Sequence, residues 1–284
     1  MKLSTLYVAA NARHERALRA VAVLKAWCGL HDIHAVALDA RLHDTAEEAL
    51  VVTLGGDGTV LRAAAWVAHL GLPILGANLG SLGFLTQTDG STLTLCLEAV
   101  LRDEFDIEER MRLAYDAPDR SGTALNDVLI QSGAAHHLCE VELSSEAGLI
   151  ASFPGDGLIV STSTGSTAYS LSAGGPVIVP PAACLLATPL APHKLGLRPI
   201  VFPADETLRL RARTPASLTV DGDLAGELAP GEHVAINRAD TPTRLVRLRD
   251  APPFFRVLEQ KLNWSDDLPR INTALPPFHE NGAP

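Results

Sequence analysis

The sequence predicts an α/β region with a parallel, Rossmann-like sheet, followed by an all-β region. Three observations lead there. Residues 1 to 104 alternate strand-like and helix-like apolar patterns, and strands separated by helices form parallel sheets with helices on their faces. From about residue 106, short runs alternate apolar and polar residues between turn residues, as half-buried strands do. Finally, the turn Gly55-Gly56-Asp57-Gly58-Thr59 joins an apolar run to a helical pattern. That places it past the carboxyl end of a strand, where ligands of such sheets bind.

In order, residues 3–10 read as a strand and 13–30 as a helix, with Ala17, Val21, Leu24 and Trp27 at helical spacing. Residues 49–54 read as a strand, 59–70 as a helix, 73–77 as a short strand and 93–101 as a helix. Strands are then expected at 107–116, 123–131, 138–144, 149–153, 158–161, 207–213, 218–221, 233–237 and 243–249. Pro252-Pro253 closes this series, and 254–262 returns to helical spacing through Phe254, Val257, Leu258 and Leu262. The domain division is therefore 1–104 α/β, 105–251 β-rich, 252–275 a terminal helix and 276–284 a tail expected to be disordered.

With 47% apolar residues the chain has ample material for cores, and 20% charged residues is the share of a soluble globular protein. A net charge of −10 argues against bulk nucleic-acid binding, which needs a basic stripe. No apolar run approaches about 20 residues, so no membrane span is expected. Cys28, Cys96, Cys139 and Cys184 are far apart and read as reduced thiols of a cytoplasmic protein. Trp27 and Trp66 fall on apolar helix faces and read as core, and His136-His137 reads as surface in preference to metal ligands.

The turn carries the chemistry. Glycines let the backbone bend sharply and approach a ligand closely. A helix start offers unpaired N–H groups and the positive end of a dipole, which suits phosphate. Asp57 is out of place beside phosphates unless it takes a proton, meets a metal or holds a hydroxyl. The segment reads as a phosphoryl-transfer site, against the plainer reading of a packing turn, and Arg62 lies about one helical turn on. Three further segments can meet it. Residues 77–85 bring two glycines in an apolar loop; Asn126-Asp127 interrupts an apolar strand; residues 155–176 run from Asp156 through a strand into a hydroxyl-rich turn and short helix. Alternation turns one of Asn126 and Asp127 inward, where it needs a partner. Each of the three also has a plainer reading, as structural loop, strand-edge pair or Ser/Thr-rich loop.

Together these segments resemble the NAD kinases of bacterial type. The resemblance is carried by residues 54–62, 78–85, 125–130, 155–176 and 191–199, in order and at matching spacing. It implies a last helix that packs back on the first domain, homodimers or homotetramers whose NAD site a second subunit helps to build, and transfer of the γ-phosphoryl of ATP to the 2′-hydroxyl of the adenosine ribose of NAD. Asp57 would be the general base; Gly55, Gly56, Gly58 and Thr59 would hold phosphates, and Asp57 and Gly58 would also touch NAD. Asn126 and Asp127 would hold ribose and adenine, and Asp156 the nicotinamide end. Thr167, Ala168, Tyr169, Ser170, Leu171 and Ser172 would line the dinucleotide, with Tyr169 against a ring. Arg62 and His137 stand where the family often contacts NAD. The cofactor would be Mg or Mn bound with ATP, without a protein metal cage, and polyphosphate stays open as an alternative donor. Three positions depart from the family's pattern: Asp127 for glutamate, Pro154 for arginine and Asp223 for an uncharged polar residue. The rivals are a diacylglycerol-kinase-like or phosphofructokinase-like enzyme, which shares the glycine–aspartate turn, and a non-catalytic NAD(P)-binding regulator, which would have no use for Asp57.

Overall fold

A computed structural model describes residues 2–11, 15–80, 83–133 and 138–263. Predicted contact residue His137 and the 276–284 tail lie outside the described residues. The first sheet uses β1 (Thr5–Ala10), β2 (His34–Ala37), β3 (Ala49–Gly55), β4 (Pro73–Asn78), β5 (Thr88–Asp89) and β6 (Phe105–Arg110), with helices α1 (Glu15–Leu30), α2 (Asp57–Val67) and α3 (Leu93–Leu101). The rest comprises β7 (Leu113–Ala117), β8 (Arg120–Ala124), β9 (Asp127–Ser132), β10 (Cys139–Ser145), β11 (Gly148–Gly155), β12 (Gly157–Ser161), the short α4 (Tyr169–Ser172), β13 (Cys184–Leu190), β14 (Ile200–Pro203), β15 (Leu208–Ala212), β16 (Ala216–Val220), β17 (Asp223–Leu228), β18 (His233–Arg238), β19 (Thr243–Leu248) and α5 (Phe254–Leu262).

The first sheet runs β2-β1-β3-β4-β19-β6, with β5 also paired to β4. Its strands β1 to β4 are parallel. The continuous apolar run of β3 is explained by burial on both faces. Leu50, Val52 and Leu54 pack with Leu24, Trp27 and Leu97 from α1 and α3. Val51 points the other way, into a cluster with Val60, Ala63, Ala64 and Val67 of α2. That spacing on α2 is one face of a helix. Trp27 is buried and its indole N–H donates to Glu98 at 2.9 Å, joining α1 to α3; Trp66 packs partly buried against the α2 cluster.

Two antiparallel sheets form the rest, ordered β11-β10-β15-β18-β7-β8 and β14-β13-β12-β9-β16-β17. They face each other across one core, in which Val128, Ile130, Leu158 and Val160 meet Val141, Phe153, Leu210 and Val234. The outer face of the second of these sheets buries Leu129, Ile159 and Leu190 with Ala173, which closes α4, packed against them. The hydroxyl-rich segment is thus laid over a sheet. α5 returns to the first domain, where Phe254 meets Phe84 with ring centroids 6.1 Å apart.

Several elements differ from the sequence reading. The expected strand 107–116 breaks at Met111-Arg112 into β6 and β7, which belong to different sheets, because Arg112 turns inward and donates to the Ala64 carbonyl of α2. The expected strand 123–131 breaks at Leu125-Asn126, where a distant carboxylate takes the backbone N–H groups. β6 and β19, expected in the β-rich region, pair with each other and complete the first sheet through β4. β2, β5, β13, β14 and β17 were not anticipated. The four cysteines are free, three of them buried and Cys96 half-buried. No helix among the described residues is long and apolar enough to cross a membrane.

Candidate active site

β3 delivers the glycine turn to the carboxyl edge of the first sheet, and α2 starts at Asp57 with Gly56 as an N-cap that offers no side-chain bond. The four glycine and threonine positions do different jobs. A Cβ on Gly55 would fall 2.1 Å from the Thr59 hydroxyl, so packing demands glycine there. A Cβ on Gly56 or Gly58 would meet nothing within 4 Å. Neither has a positive φ. No internal contact or backbone strain therefore requires these two glycines; both are exposed and leave bare backbone at a helix start.

Asp57 is half-buried and gripped by the loop after β4. Its Oδ2 accepts the Phe84 N–H at 2.8 Å and its Oδ1 the Leu85 N–H at 3.0 Å. A Cβ on Gly83 would lie 2.0 Å from Oδ1, so the carboxylate rests directly on that glycine. The two glycines of the sequence-predicted 77–85 loop split in role: Gly83 makes the cradle, while Gly80 donates its N–H to Asn78 Oδ1 at 2.8 Å and lines a cavity.

The turn separates two cavities. One, about 570 Å³, is lined by Gly55, Gly56, Asn11, Arg16, Asn78 and Gly80. The other, about 460 Å³, is lined by Gly58, Arg62, Trp66, Asp221, Gly222 and Asp223. A larger cavity of about 860 Å³ opens beyond Asn78 between α3 and the end of β19, and none of the predicted site residues lines it.

Within the second domain, buried bonds lock the hydroxyl-rich segment to the Leu125-Asn126 segment. Thr162 donates its hydroxyl to the Leu125 carbonyl at 2.6 Å and its N–H to the Asn126 carbonyl at 2.9 Å. Gly165 lies so close that a Cβ would sit 2.1 Å from that Asn126 oxygen. Asn126 is half-buried and Asp127 buried, so the inward member of the pair is Asp127. Burial, and then the neighbouring Asp221 charge, push the Asp127 carboxyl up to about 7. Thr167 and Ala168 are half-buried, with the Thr167 hydroxyl donating to the Thr164 carbonyl at 3.2 Å. Tyr169 and Ser172 are exposed and Leu171 half-buried. Ser170 is fully buried and its hydroxyl bonds that of Thr188 at 2.8 Å, beneath the face that Tyr169 presents. Asp156 is exposed at the opposite end of β12 from Thr162, roughly 20 Å away along an extended chain.

Sequence reasoning missed three charged residues that tie these pieces together. Arg110 is buried, bonds Glu108 at 2.9 Å and donates to the Thr164 hydroxyl at 3.2 Å. Burial lowers its pKa, with Glu108 and Asp57 among the charges that oppose the shift. Arg112 is also buried, and its pKa is lowered by burial against the pull of Asp221. Asp221 accepts the N–H groups of Leu125, Asn126 and Asp127 at 2.8, 2.7 and 3.2 Å. The only local signal was an arginine at inward positions of alternating strands and an aspartate before a glycine.

Comparison with known proteins places the chain. The ATP-NAD kinase N-terminal domain matches residues 9–105 and the ATP-NAD kinase C-terminal domain residues 125–248. The NAD kinase of Moorella thermoacetica is 42% identical over 240 residues, covering 80% of this chain and 77% of that protein. The NAD kinase of Geotalea daltonii is 41% identical over 236 residues, covering 80% of this chain and 83% of that protein. In fold, a yeast NADH kinase solved with NADH superposes with a TM-score of 0.80 at 22% identity, covering 96% of this chain and 91% of that one. An NAD kinase from Archaeoglobus fulgidus solved with ATP gives 0.75 at 23% identity, covering 92% and 99%.

Proposed function

The chain belongs to the ATP-NAD kinase family, and on that premise we propose that Asp57 is the general base of its reaction. The reaction is ATP-dependent phosphorylation of NAD: the γ-phosphoryl passes to the 2′-hydroxyl of the adenosine ribose, giving NADP and ADP. The observation that carries the base assignment is the carboxylate held by the Phe84 and Leu85 N–H groups, on the first residue of a helix, in a turn whose glycines line a cavity on either side. Two N–H bonds fix its direction and leave a lone pair on each oxygen to receive the hydroxyl proton.

The remaining parts do positioning, which is most of phosphoryl transfer. Gly55, Gly56 and the uncapped first turn of α2 receive the triphosphate, with Arg16 at the rim of the same cavity. Asn126, Thr167 and Ala168 hold the adenosine half of NAD, and Gly58 and Arg62 border it across the turn. The divalent ion, Mg or Mn, would come with ATP, without a protein cage of its own. It would supply charge neutralisation on the transferring group. Asp156, exposed at the far end of β12, serves the nicotinamide end, in a homodimer or homotetramer whose second copy helps to build the NAD site. The four free cysteines support a reducing, cytoplasmic setting.

The test is NADP formation from Mg-ATP and NAD by the full chain, read with an NADP-specific dehydrogenase, with polyphosphate as an alternative donor. Asp57→Asn is expected to lose about 10²–10⁴ in kcat, the share of a positioned base, while still binding NAD by calorimetry. An unchanged kcat removes Asp57 from that role, and no NADP with either donor overturns the reading as a whole.

A further inference from the structure

Two carboxyl groups at the adenosine segment differ sharply in surroundings: Asp127, expected with Asn126 at the ribose and adenine, and Asp221, which has no assigned contact with NAD. Asp127 opens β9, is 6% exposed and accepts no hydrogen bond from the described residues. Asp221 accepts three, from the backbone of Leu125 through Asp127, and returns its own N–H to the Asp127 carbonyl at 3.0 Å. It does so at φ 48°, a left-handed conformation that a non-glycine residue keeps only when its surroundings hold it there. Opposite Asp127 across the strand pair stands Ser161, whose buried hydroxyl has no partner among the described residues.

The charges around the pair sort the two acids. Arg112, reaching in between β6 and β7, faces Asp221. Arg62 from α2 and Asp223 from the same turn share the cavity with Asp221. At Asp127 the one charge that acts is Asp221 itself. Burial raises the Asp221 carboxyl as well, but three N–H donors and the Arg112 charge oppose that shift, so of the two acids Asp221 is the better placed to be the anion. An acid given no donor, buried beside that anion, is favoured in its neutral form, and the two titrate as a pair.

We propose, on the NAD kinase reading above, that Asp127 and Asp221 hold a single proton between them, carried by Asp127, and that its loss loosens the adenosine site. The protonated Asp127 is a donor facing the unpartnered Ser161 hydroxyl. Once the proton leaves, two like charges stand where Asp221 clamps the backbone of Leu125, Asn126 and Asp127. The strain falls on the N–H bond that fixes Asn126, and so on the side chain that meets NAD. The glycine turn that takes ATP is not part of this clamp. KM for NAD therefore rises with pH while KM for ATP stays level.

The experiment is steady-state kinetics of the full chain, Asp127→Asn and Asp221→Asn from about pH 5.5 to about pH 8.5, bracketing the neutral range. For the wild type, KM for NAD is expected to rise roughly three- to tenfold with its midpoint near neutrality, the size of half to one unit of linkage between proton and ligand. Asp127→Asn, whatever its absolute activity, loses that inflection. Asp221→Asn keeps it but moves it to lower pH, because the neighbouring anion is gone. An inflection that persists in Asp127→Asn, or stays in place in Asp221→Asn, overturns the proposal.

Melting curves without substrate give an independent readout. The folded Asp127 binds its proton more tightly than the unfolded chain does, so wild-type stability falls as pH rises from about 4, the unfolded value, to about 7. The melting midpoint of Asp127→Asn relative to wild type should climb through that window and level off above it. A flat difference overturns the proton-sharing pair even if the enzyme makes NADP. A climbing difference with no NADP formed overturns the kinase reading and leaves the pair standing.

Discussion

Gly83→Ala puts the Asp57 cradle to a direct test. The added methyl would fall 2.0 Å from Oδ1, 2.7 Å from Cγ and 2.9 Å from Oδ2 of Asp57. Ordinary contact begins at 3.4 Å, so the carboxylate must retreat by roughly 1.4 Å. Gly83 does not have a positive φ, so alanine meets no backbone strain of its own and the whole effect comes from this contact. A shift of that size breaks the bonds from Phe84 and Leu85, each worth about 1.5–3 kcal/mol as bonds to a charged group. A reacting group misplaced by about 1 Å costs on the order of 10²-fold in rate. Gly83→Ala is therefore expected to lower kcat about 10²-fold, with KM for ATP and NAD changed only a few-fold. The assay is initial-rate NADP formation at saturating Mg-ATP and NAD, with a melting curve to confirm folding. The substitution should also add almost nothing in an Asp57→Asn background, because both act on one group. A folded Gly83→Ala enzyme with wild-type kcat refutes the cradle as the device that positions the base.

The other glycines make contrasting predictions. Gly165→Ala drives a methyl to 2.1 Å from the Asn126 carbonyl, so it should cost at least the roughly 1–3 kcal/mol of overpacking and weaken NAD binding, read by melting and calorimetry. Gly56→Ala meets nothing within 4 Å, so the melting midpoint should hold while KM for ATP rises through blocked phosphate approach. Removing divalent ions with a chelator should stop NADP formation, Mg or Mn should restore it, and NAD binding should survive the treatment.

The parts of the site written in contiguous residues were legible in the sequence. A strand, Gly-Gly-Asp-Gly-Thr and a helix face share one stretch, and local spacing suffices to place Asp57 at a helix start. The hydroxyl-rich run through Tyr169 was legible for the same reason, though its pattern did not say that Ser170 would be turned under to Thr188. Arg110, Arg112 and Asp221 were not legible, because each acquires meaning only from a partner far along the chain: Thr164, Ala64 and the backbone of Leu125 to Asp127. Sheet membership was hidden likewise. An alternating strand such as β19 reads the same whether it pairs in a sandwich or closes a parallel sheet. β13 escaped notice because Pro180, Pro181 and Pro189 crowd a run that is nonetheless buried throughout.

The placement of β19 also sets an order of assembly. Arg244 pairs with Pro73, and its guanidinium reaches back to the Gly71 carbonyl at 3.0 Å. Until that strand leaves the ribosome, the edge of β4 away from β3 is open at Pro73 and Ile74, the kind of edge that recruits foreign strands. Such distant pairing also slows folding. A chain cut near residue 105 would bear every residue of the phosphate turn and still lack the strand that closes its sheet. The glycine turn and its aspartate, encoded early, thus gain a finished support only when the nucleotide-binding sheets already exist to bring them a substrate.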